Sequence, residues 1–163
     1  MRSGLIVVGI CLAVSIVAGV VLAGRYRGEL VQVEDVVTGL IYFLEKNEGR
    51  FPQSQEEFEA SPFVETGPQG VRILSPEQTK YRKPTHGDKG LWIPSLEPFK
   101  INWGAQLDGL TVDEFGNARD TKGDKVRLVR WPSSEPSAKE FTILLLRVAA
   151  ENRPKAAKEA SPP

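Results

Sequence analysis

The chain has 163 residues, of which 40% are hydrophobic and 26% are charged. These proportions are ordinary for one globular domain. The 21 Lys and Arg residues balance 21 Asp and Glu residues, whereas a protein that grips nucleic acid needs a concentrated basic excess. The composition therefore excludes strong capture of nucleic acid, and we expect no nucleic-acid partner.

Residues 5–23 form an uninterrupted apolar run, LIVVGICLAVSIVAGVVLA. As a helix this run would extend about 28 Å, close to the bilayer hydrocarbon thickness of roughly 30 Å. A cleaved signal peptide is the alternative, because Arg2 precedes the run and Val21-Leu22-Ala23 resembles a cleavage site. The run is longer than the apolar part of most signal peptides. We therefore predict a cytoplasmic start at 1–4 and a transmembrane helix at 5–23 in contact with membrane lipid.

Small side chains recur every fourth residue within this run, at Cys11, Ser15, Gly19 and Ala23. Such a stripe is common in transmembrane helices and is also the kind of surface on which two helices pack laterally. Cys11 is the single cysteine of the chain. Internal disulfides are therefore excluded, as are cysteine-based metal sites in the rest of the sequence.

A second helix is predicted at 29–47, where apolar residues follow a spacing of three and four, and Gly49 is a typical helix stop. Tyr42 and Phe43 widen the apolar face, and we interpret them as core residues rather than as a ligand site. The apolar positions are Leu30, Val33, Val37, Leu40, Ile41 and Leu44, and the polar positions elsewhere around the helix are Glu34, Asp35, Thr38, Glu45 and Lys46.

Local signals predict two further features in the middle of the chain. Ser54 and Glu57 form the S-x-x-E pattern of a capping box, which indicates a short helix. The region 65–98 is rich in Gly and Pro, and we interpret it as a long variable loop with strand-like patches at 71–74 and 91–93.

Strands are predicted in the C-terminal half. Residues 99–107 alternate between apolar and polar, and Asp108-Gly109 is a hairpin signal before a second strand at 110–112. Residues 125–131 form another predicted strand, which ends at Pro132.

The apolar run 141–149 fits two interpretations. Ser137 and Glu140 would cap a helix, whereas Phe141-Thr142-Ile143-Leu144 favours a strand. Because the preceding segments are strand-like and a sheet edge needs a partner, we favour the strand. Residues 152–163, rich in Ala, Lys and Pro, are predicted to form a flexible tail.

Together these elements predict an α+β fold. A long N-terminal helix, transmembrane and then amphipathic, would pack on a small C-terminal antiparallel sheet. The soluble domain would comprise residues 24–151.

Two short sequences resemble a known family. YFLEKNEGRFP at 42–52 is similar to the aromatic ending of the long helix in the type IV pilin superfamily, N-x-G-R-[YF]-P, and DEFGN at 113–117 resembles its D-P-[WF]-G-N turn. Together with the apolar N-terminal helix, this layout resembles most closely the major pseudopilin of type II secretion systems.

The resemblance implies a single-pass protein of the inner (cytoplasmic) membrane with its N-terminus inside. The soluble domain would face the periplasm or the cell exterior. It also implies a non-enzymatic role through protein-protein contacts with other envelope or pilin-like proteins, in a type II secretion or pilus-like assembly.

The sequence departs from the family at two positions. Gly4 precedes Leu5, where the family has an aromatic residue after the processed glycine. Gly9 stands where the family has a glutamate that neutralises the amine of a neighbouring subunit. A pilin-like relative retained as a membrane-anchored module fits both departures, and a divergent minor pseudopilin is the alternative.

The resemblance also directs attention to calcium, which major pseudopilins hold in a loop of the C-terminal region. Carboxylate oxygens suit calcium, but basic residues are interspersed among the acids here, and the spacing of a known calcium loop is missing. We therefore predict turn and surface roles, with no metal or other cofactor. The acidic residues concerned are Asp108, Asp113, Glu114, Asp120 and Asp124.

The sequence carries no recognisable catalytic constellation. His86, the single histidine, lies in a Pro- and Gly-rich loop, and one histidine makes a zinc site only with several carboxylates. Ser133, Ser134 and Ser137 lie among prolines, without the G-x-S-x-G context of a nucleophile. We therefore predict that the protein is not an enzyme.

The three tryptophans are the remaining candidates. We expect Trp103 in the core, whereas Trp92 and Trp131 lie close to prolines, where exposed indoles would form a surface for a sugar or a peptide. The sequence thus predicts a membrane-anchored, pilin-like protein that acts through protein contacts. The alternative is an envelope module that binds a glycan or a peptide through the loop 65–98.

Overall fold

The computed structural model describes residues 28, 30–75, 84, 87–131 and 135–154. The chain divides into two compact units, Met1–Gln32 and Val33–Pro163. The predicted transmembrane segment 5–23 lies outside the described residues. Within the described ranges, no helix has the length and apolarity needed to cross a membrane.

The described residues form helices and small antiparallel sheets, which confirms the predicted α+β class. The helices are α1 at 30–46, α2 at Gln55–Glu59 and α3 at Glu135–Asn152, and Gly87–Lys89 forms one turn of 3₁₀-helix. The strands are β1 at Val64–Gly67, β2 at Gly70–Ile73, β3 at Trp92–Ile93, β4 at Lys100–Ile101, β5 at Thr111–Val112, β6 at Ala118–Arg119 and β7 at Val129–Arg130.

A three-stranded antiparallel sheet, in the order β1-β2-β3, occupies part of the region predicted to be a loop. Val64 pairs with Ile73 across β1 and β2, and Val71 pairs with Ile93 across β2 and β3. All four side chains are buried. The strand-like patches at 71–74 and 91–93 are confirmed, but the loop interpretation is wrong for β1. That strand lacks apolar alternation after its first residue, and its partner β2 holds it in place.

Between residues 33 and 44 of helix α1, every residue except the partly exposed Glu34 is buried. A Cβ at Gly39 would stand 2.8 Å from Ile73 Cδ1 of β2 and 2.8 Å from Phe58 Cζ of α2, so the helix backbone approaches both elements closely. Tyr42 packs edge-on against Phe63, with ring centroids 5.8 Å apart. Tyr42 and Phe43 are buried, which confirms their assignment to the core.

Two residues placed on the polar side of α1 are in fact fully covered. Asp35 and Thr38 are buried, because other elements surround the helix rather than lying along one face. The Thr38 hydroxyl donates to the Glu34 carbonyl at 2.7 Å. Asp35 Oδ2 accepts a hydrogen bond from the Leu91 N–H at 3.2 Å, which ties the loop before β3 to α1.

The strand prediction for 141–149 is wrong, because these residues lie within helix α3. The buried residues of α3 are Ala138, Thr142, Leu145, Val148 and Ala149, which recur at helical spacing. Thr142 Oγ1 donates to the Ala138 carbonyl at 2.8 Å and accepts from the Leu128 N–H at 3.1 Å. Most residues of the run 141–149 are apolar, but only one stripe of them is buried, and its Leu, Arg and Ala residues favour a helix.

The C-terminal strands form two separate ladders, β4 with β7 and β5 with β6. The predicted hairpin of 99–107 with 110–112 is wrong, because the chain turns at Trp103–Gly104 and the Gly104 N–H donates to the Pro52 carbonyl at 2.9 Å. Tertiary contacts thus override the period-two pattern. The predicted strand 125–131 is reduced to Val129–Arg130, with one isolated bridge between Lys125 and Arg119.

Candidate functional site

The segment that resembles the pilin helix ending terminates α1. Glu48 and Gly49 have positive φ values, 54° and 78°. The Gly49 N–H donates to the Leu44 carbonyl at 2.8 Å, the bond that closes a Schellman motif after a left-handed residue. The predicted stop at Gly49 is confirmed, although the left-handed position itself is filled by Glu48.

Arg50 and Glu57 join this helix end to α2. Arg50 Nη1 and Nη2 donate to Glu57 at 3.2 and 2.5 Å, and the Gln53 N–H donates to Glu57 Oε2 at 2.6 Å. Hydrogen bonding to Arg50 lowers the pKa of Glu57, and the same bond raises the pKa of Arg50. Ser54 Oγ accepts from the Glu57 N–H at 3.2 Å, which confirms the predicted capped helix.

A cleft of about 390 Å³ lies beside the same helix end. Both guanidinium groups that line it are paired, Arg50 with Glu57 and Arg153 with Asp108 at 2.5 Å. Arg153 belongs to the predicted C-terminal tail, and here it lies just beyond the end of α3. Since its two arginines already hold carboxylates, we interpret this cleft as part of the scaffold.

The DEFGN sequence at 113–117, which resembles the turn of the pilin superfamily, forms the turn between β5 and β6. The Asp113 carboxylate accepts the Asn117 N–H at 2.7 Å, the Asn117 side-chain amide at 3.2 Å and Arg119 Nε at 2.8 Å. Hydrogen bonding from the Asn117 backbone, supported by Arg119, lowers the pKa of Asp113 to about 2. Lys139 Nζ of α3 donates to the Phe115 carbonyl at the tip of the turn.

The bonds within this turn hold one aromatic side chain in solvent. Phe115 is 68% exposed, and Val112 on the adjoining strand is 49% exposed. We name these two side chains the hairpin surface. The DEFGN pattern predicts a turn but does not predict that Phe115 is exposed. The sequence did place an aromatic residue at the tip of a turn, where few neighbouring residues can cover it, and this would have indicated the exposure. An aromatic side chain held in solvent on an ordered turn is a candidate for contact with another protein.

Three of the five acidic residues considered for calcium have other partners. Asp108 pairs with Arg153 and Asp113 with Arg119, and Asp120 Oδ1 accepts the N–H groups of Lys122 and Asp124, each at 2.9 Å. The last arrangement is an Asx turn. In the part of the chain that the structure describes, no three His, Cys, Asp or Glu side chains come together in a group suited to a metal ion.

The tryptophans lie in three different environments. Trp131 is 7% exposed and packs on Phe141 at 5.7 Å between ring centroids, so its indole does not offer the ligand surface considered for it. Trp103 is half-buried against Phe58, with ring centroids 5.9 Å apart.

Trp92 is half-buried rather than free. The Arg72 guanidinium lies over its ring at 4.7 Å from the centroid, and Arg72 Nε also donates to Glu65 Oε2 at 3.1 Å. A cation held over the ring by a carboxylate covers one face of the indole. The three tryptophans therefore do not form one aromatic surface.

The remaining candidates lie mostly outside the described residues. These are His86, Ser133, Ser134 and the small-residue stripe from Cys11 to Ala23. Ser137 belongs to the first turn of α3, so it is part of a helix rather than of a linker.

Comparisons with protein-family models, with curated proteins and with solved structures found no family, protein or structure that matches this chain.

Proposed function

We propose that the chain is a membrane-anchored, non-enzymatic, pilin-like protein of the cell envelope that acts through protein-protein contacts. One observation carries this proposal. The residues that resemble the pilin helix ending are the ones that close α1, and the helix they close lies inside an α+β unit. The apolar run 5–23 supplies the anchor expected ahead of such a helix.

The proposed location is the inner membrane, with residues 24–151 on the periplasmic or external side. The test is cell fractionation combined with protease treatment of spheroplasts. We expect the full chain in the membrane fraction and cleavage of the exposed domain by added protease. Recovery in the soluble cytoplasmic fraction would contradict the proposal.

The residue at which the mature protein begins distinguishes an anchored module, a processed pseudopilin and a secreted protein. Mass spectrometry of the protein isolated from cells gives three distinguishable results. An intact Met1 indicates an anchored module, cleavage after Gly4 indicates a processed pseudopilin, and cleavage after Ala23 indicates a secreted protein without an anchor. The third result would overturn the anchored proposal. Gly9 leads us to expect the first result, since the family glutamate for subunit assembly is missing.

The proposed contacts include the hairpin surface, with a pilin-like partner that presents an apolar pocket to Phe115. A photo-crosslinking amino acid at position 115 should capture a discrete envelope protein in living cells. The same amino acid at Gln106, an exposed polar position, serves as the matched control. Equal crosslinking at both positions, or none at 115, would remove this surface from the proposal.

A second measurement keeps folding separate from binding. Because Phe115 is mostly exposed, Phe115→Ala should leave Tm nearly unchanged. A tagged copy of this variant should capture less of the partner than a tagged wild-type copy does. A large fall in Tm would mean that Phe115 serves the fold instead. The alternative function, binding of a glycan or a peptide, stays a prediction. We rank it second because the Arg72 side chain covers one face of Trp92, the residue that would bind the ligand.

A further inference from the structure

A pocket of about 400 Å³ adjoins the β4–β7 ladder and the segment 125–127. Four of its lining residues are cationic: Lys100, Lys125, Arg127 and Arg130. The other three carry no charge, so no carboxylate of the described chain lines the pocket. We name these four residues the basic pocket.

Within the described residues, no ion pair neutralises the cations of the basic pocket. Among the described residues, the four ion pairs are Arg50–Glu57, Arg72–Glu65, Arg119–Asp113 and Arg153–Asp108. None of them uses a residue of the basic pocket. A concave surface with one sign of charge focuses the field and attracts counter-ions.

Arg127 is held in place by neutral oxygens. Its Nη2 donates to Asn117 Oδ1 at 3.0 Å and its Nη1 donates to the Val126 carbonyl at 3.2 Å. Its Nε is buried and has no hydrogen-bond partner among the described residues. A positioned guanidinium whose charge meets no carboxylate is available to an anionic ligand.

Lys100 and Arg130 stand directly opposite each other in the β4–β7 register. Like charges at directly opposed positions of an antiparallel pair are unfavourable for the sheet. This pairing does not serve stability, and it brings two long cationic side chains to the same pocket. An anion bound between these two side chains would relieve their repulsion.

We propose that the basic pocket binds a compact polyanion, a phosphate- or pyrophosphate-bearing group. Four cations around one concavity match several negative charges on a single small group better than the separated single charges of an acidic peptide. Arginine offers a planar fork for phosphate oxygens, and lysine adds a point charge. A long polyanion is disfavoured by the zero net charge of the chain. The proposal does not depend on the proposed envelope function.

The direct test titrates the purified full chain, in a non-ionic detergent, with sodium pyrophosphate by isothermal calorimetry. We expect saturable binding that weakens as NaCl rises from about 50 to about 300 mM, because salt screens exposed charges. The double variant Lys100→Gln/Arg130→Gln should weaken binding at least about tenfold. The matched control Lys46→Gln/Lys89→Gln removes the same charge from exposed residues outside the pocket, and its affinity should stay within about twofold.

A further variant separates binding from folding. Lys100→Glu turns the opposed like charges into an opposite pair, so Tm should be maintained or should rise while pyrophosphate binding is lost. Absence of saturable binding by the wild type would overturn the proposal. Equal loss in the control double variant would do the same, because it would show a general charge effect.

Two arms distinguish the source of the phosphate. The full chain is placed in nanodiscs of phosphatidylcholine alone, or of phosphatidylcholine with phosphatidic acid, and pyrophosphate binding is measured in each. Equal binding indicates a soluble phosphate ligand, and competition by phosphatidic acid indicates a lipid headgroup. Both results support the basic pocket. Binding of a polyglutamate peptide without any binding of pyrophosphate would overturn the phosphate assignment in favour of an acidic protein.

Discussion

The backbone of Gly49 lies against the carbonyl group of Ala149. A Cβ added at Gly49 would stand 2.3 Å from the Ala149 oxygen, well inside van der Waals contact. The end of α1 and the last turns of α3 therefore meet through a residue without a side chain. This junction closes the unit at the segment that resembles the pilin helix ending.

Gly49→Ala should destabilise the protein by about 2–4 kcal/mol, since it adds a left-handed alanine and forces α3 away. Urea unfolding of the full chain in detergent, followed by circular dichroism, measures the loss. Gly123→Ala is the control, because Gly123 also has a positive φ, 86°, but no atom lies within 4 Å of an added Cβ. Gly123→Ala should lower the free energy of unfolding by about 1–2 kcal/mol. Equal losses would mean that the contact with Ala149 contributes nothing.

Glu48→Gly should stabilise the protein by about 0.5–1 kcal/mol. Glu48 is an exposed residue with a φ of 54°, where a side chain is strained and glycine is not. The gain is partial because glycine also makes the unfolded chain more flexible. Lys46→Gly, within α1, should instead destabilise by about 1 kcal/mol. Thermal unfolding of both variants checks the opposite signs.

Asp35→Ala should destabilise the unit by about 1–3 kcal/mol. The change removes the carboxylate that accepts the Leu91 N–H and leaves a partly buried donor without that acceptor. Asp35→Asn keeps a carbonyl oxygen of the same shape, so it should lose less than Asp35→Ala. Hydrogen exchange at Leu91, measured by NMR, should rise in the alanine variant. Unchanged protection there would contradict this account of the contact.

Asp113 should make the free energy of unfolding depend on pH in the acidic range. Its folded pKa, about 2, lies below the ordinary value of 3.8, so the unfolded chain takes up the proton first as pH falls. The stabilisation is fully present above about pH 4 and is lost as pH falls toward about 2. Acid titration of the unfolding free energy checks this window.

Asp113→Asn should lower stability at neutral pH, and its difference from the wild type should shrink across the same window. Glu114→Gln is the neighbouring control, because Glu114 makes none of the bonds that hold the turn. A wild-type pH profile in Asp113→Asn would show that the turn carboxylate does not contribute.

Local signals predicted the elements that local bonds hold. The α2 cap at Ser54 and the α1 ending at Gly49 follow from short-range hydrogen bonds within a few residues, and both are correct. The β1 strand and the burial of Asp35 depend on partners far along the chain. The sequence of β1 and the sequence around Asp35 contain no pattern that predicts these partners.

The two wrong strand assignments have one cause. The alternating segment 99–107 and the apolar run 141–149 are each compatible with several structures, and tertiary contacts decide between them. Gly104 turns toward Pro52 instead of continuing a strand, and Thr142 accepts the Leu128 N–H from within a helix. Periodicity identified apolar segments here without identifying their partners.

The candidate sites were predicted less well than the fold. The sequence predicted the turn that carries the hairpin surface, but it did not predict that the Phe115 side chain is exposed. The basic pocket was hidden because Lys100 and the other three cations are separated in sequence and converge through the β4–β7 pairing. A balanced total charge describes the composition of a chain and carries no information about such local convergence.

The burial of α1 around most of its circumference has a consequence for biosynthesis. The helix is synthesised before Ala149, which lies against its end. Until then, an apolar helix lacks part of its cover, and closing such distant contacts is slow. We therefore expect the nascent chain to need a chaperone or the membrane surface during translation, and truncation before α3 to yield an aggregating product.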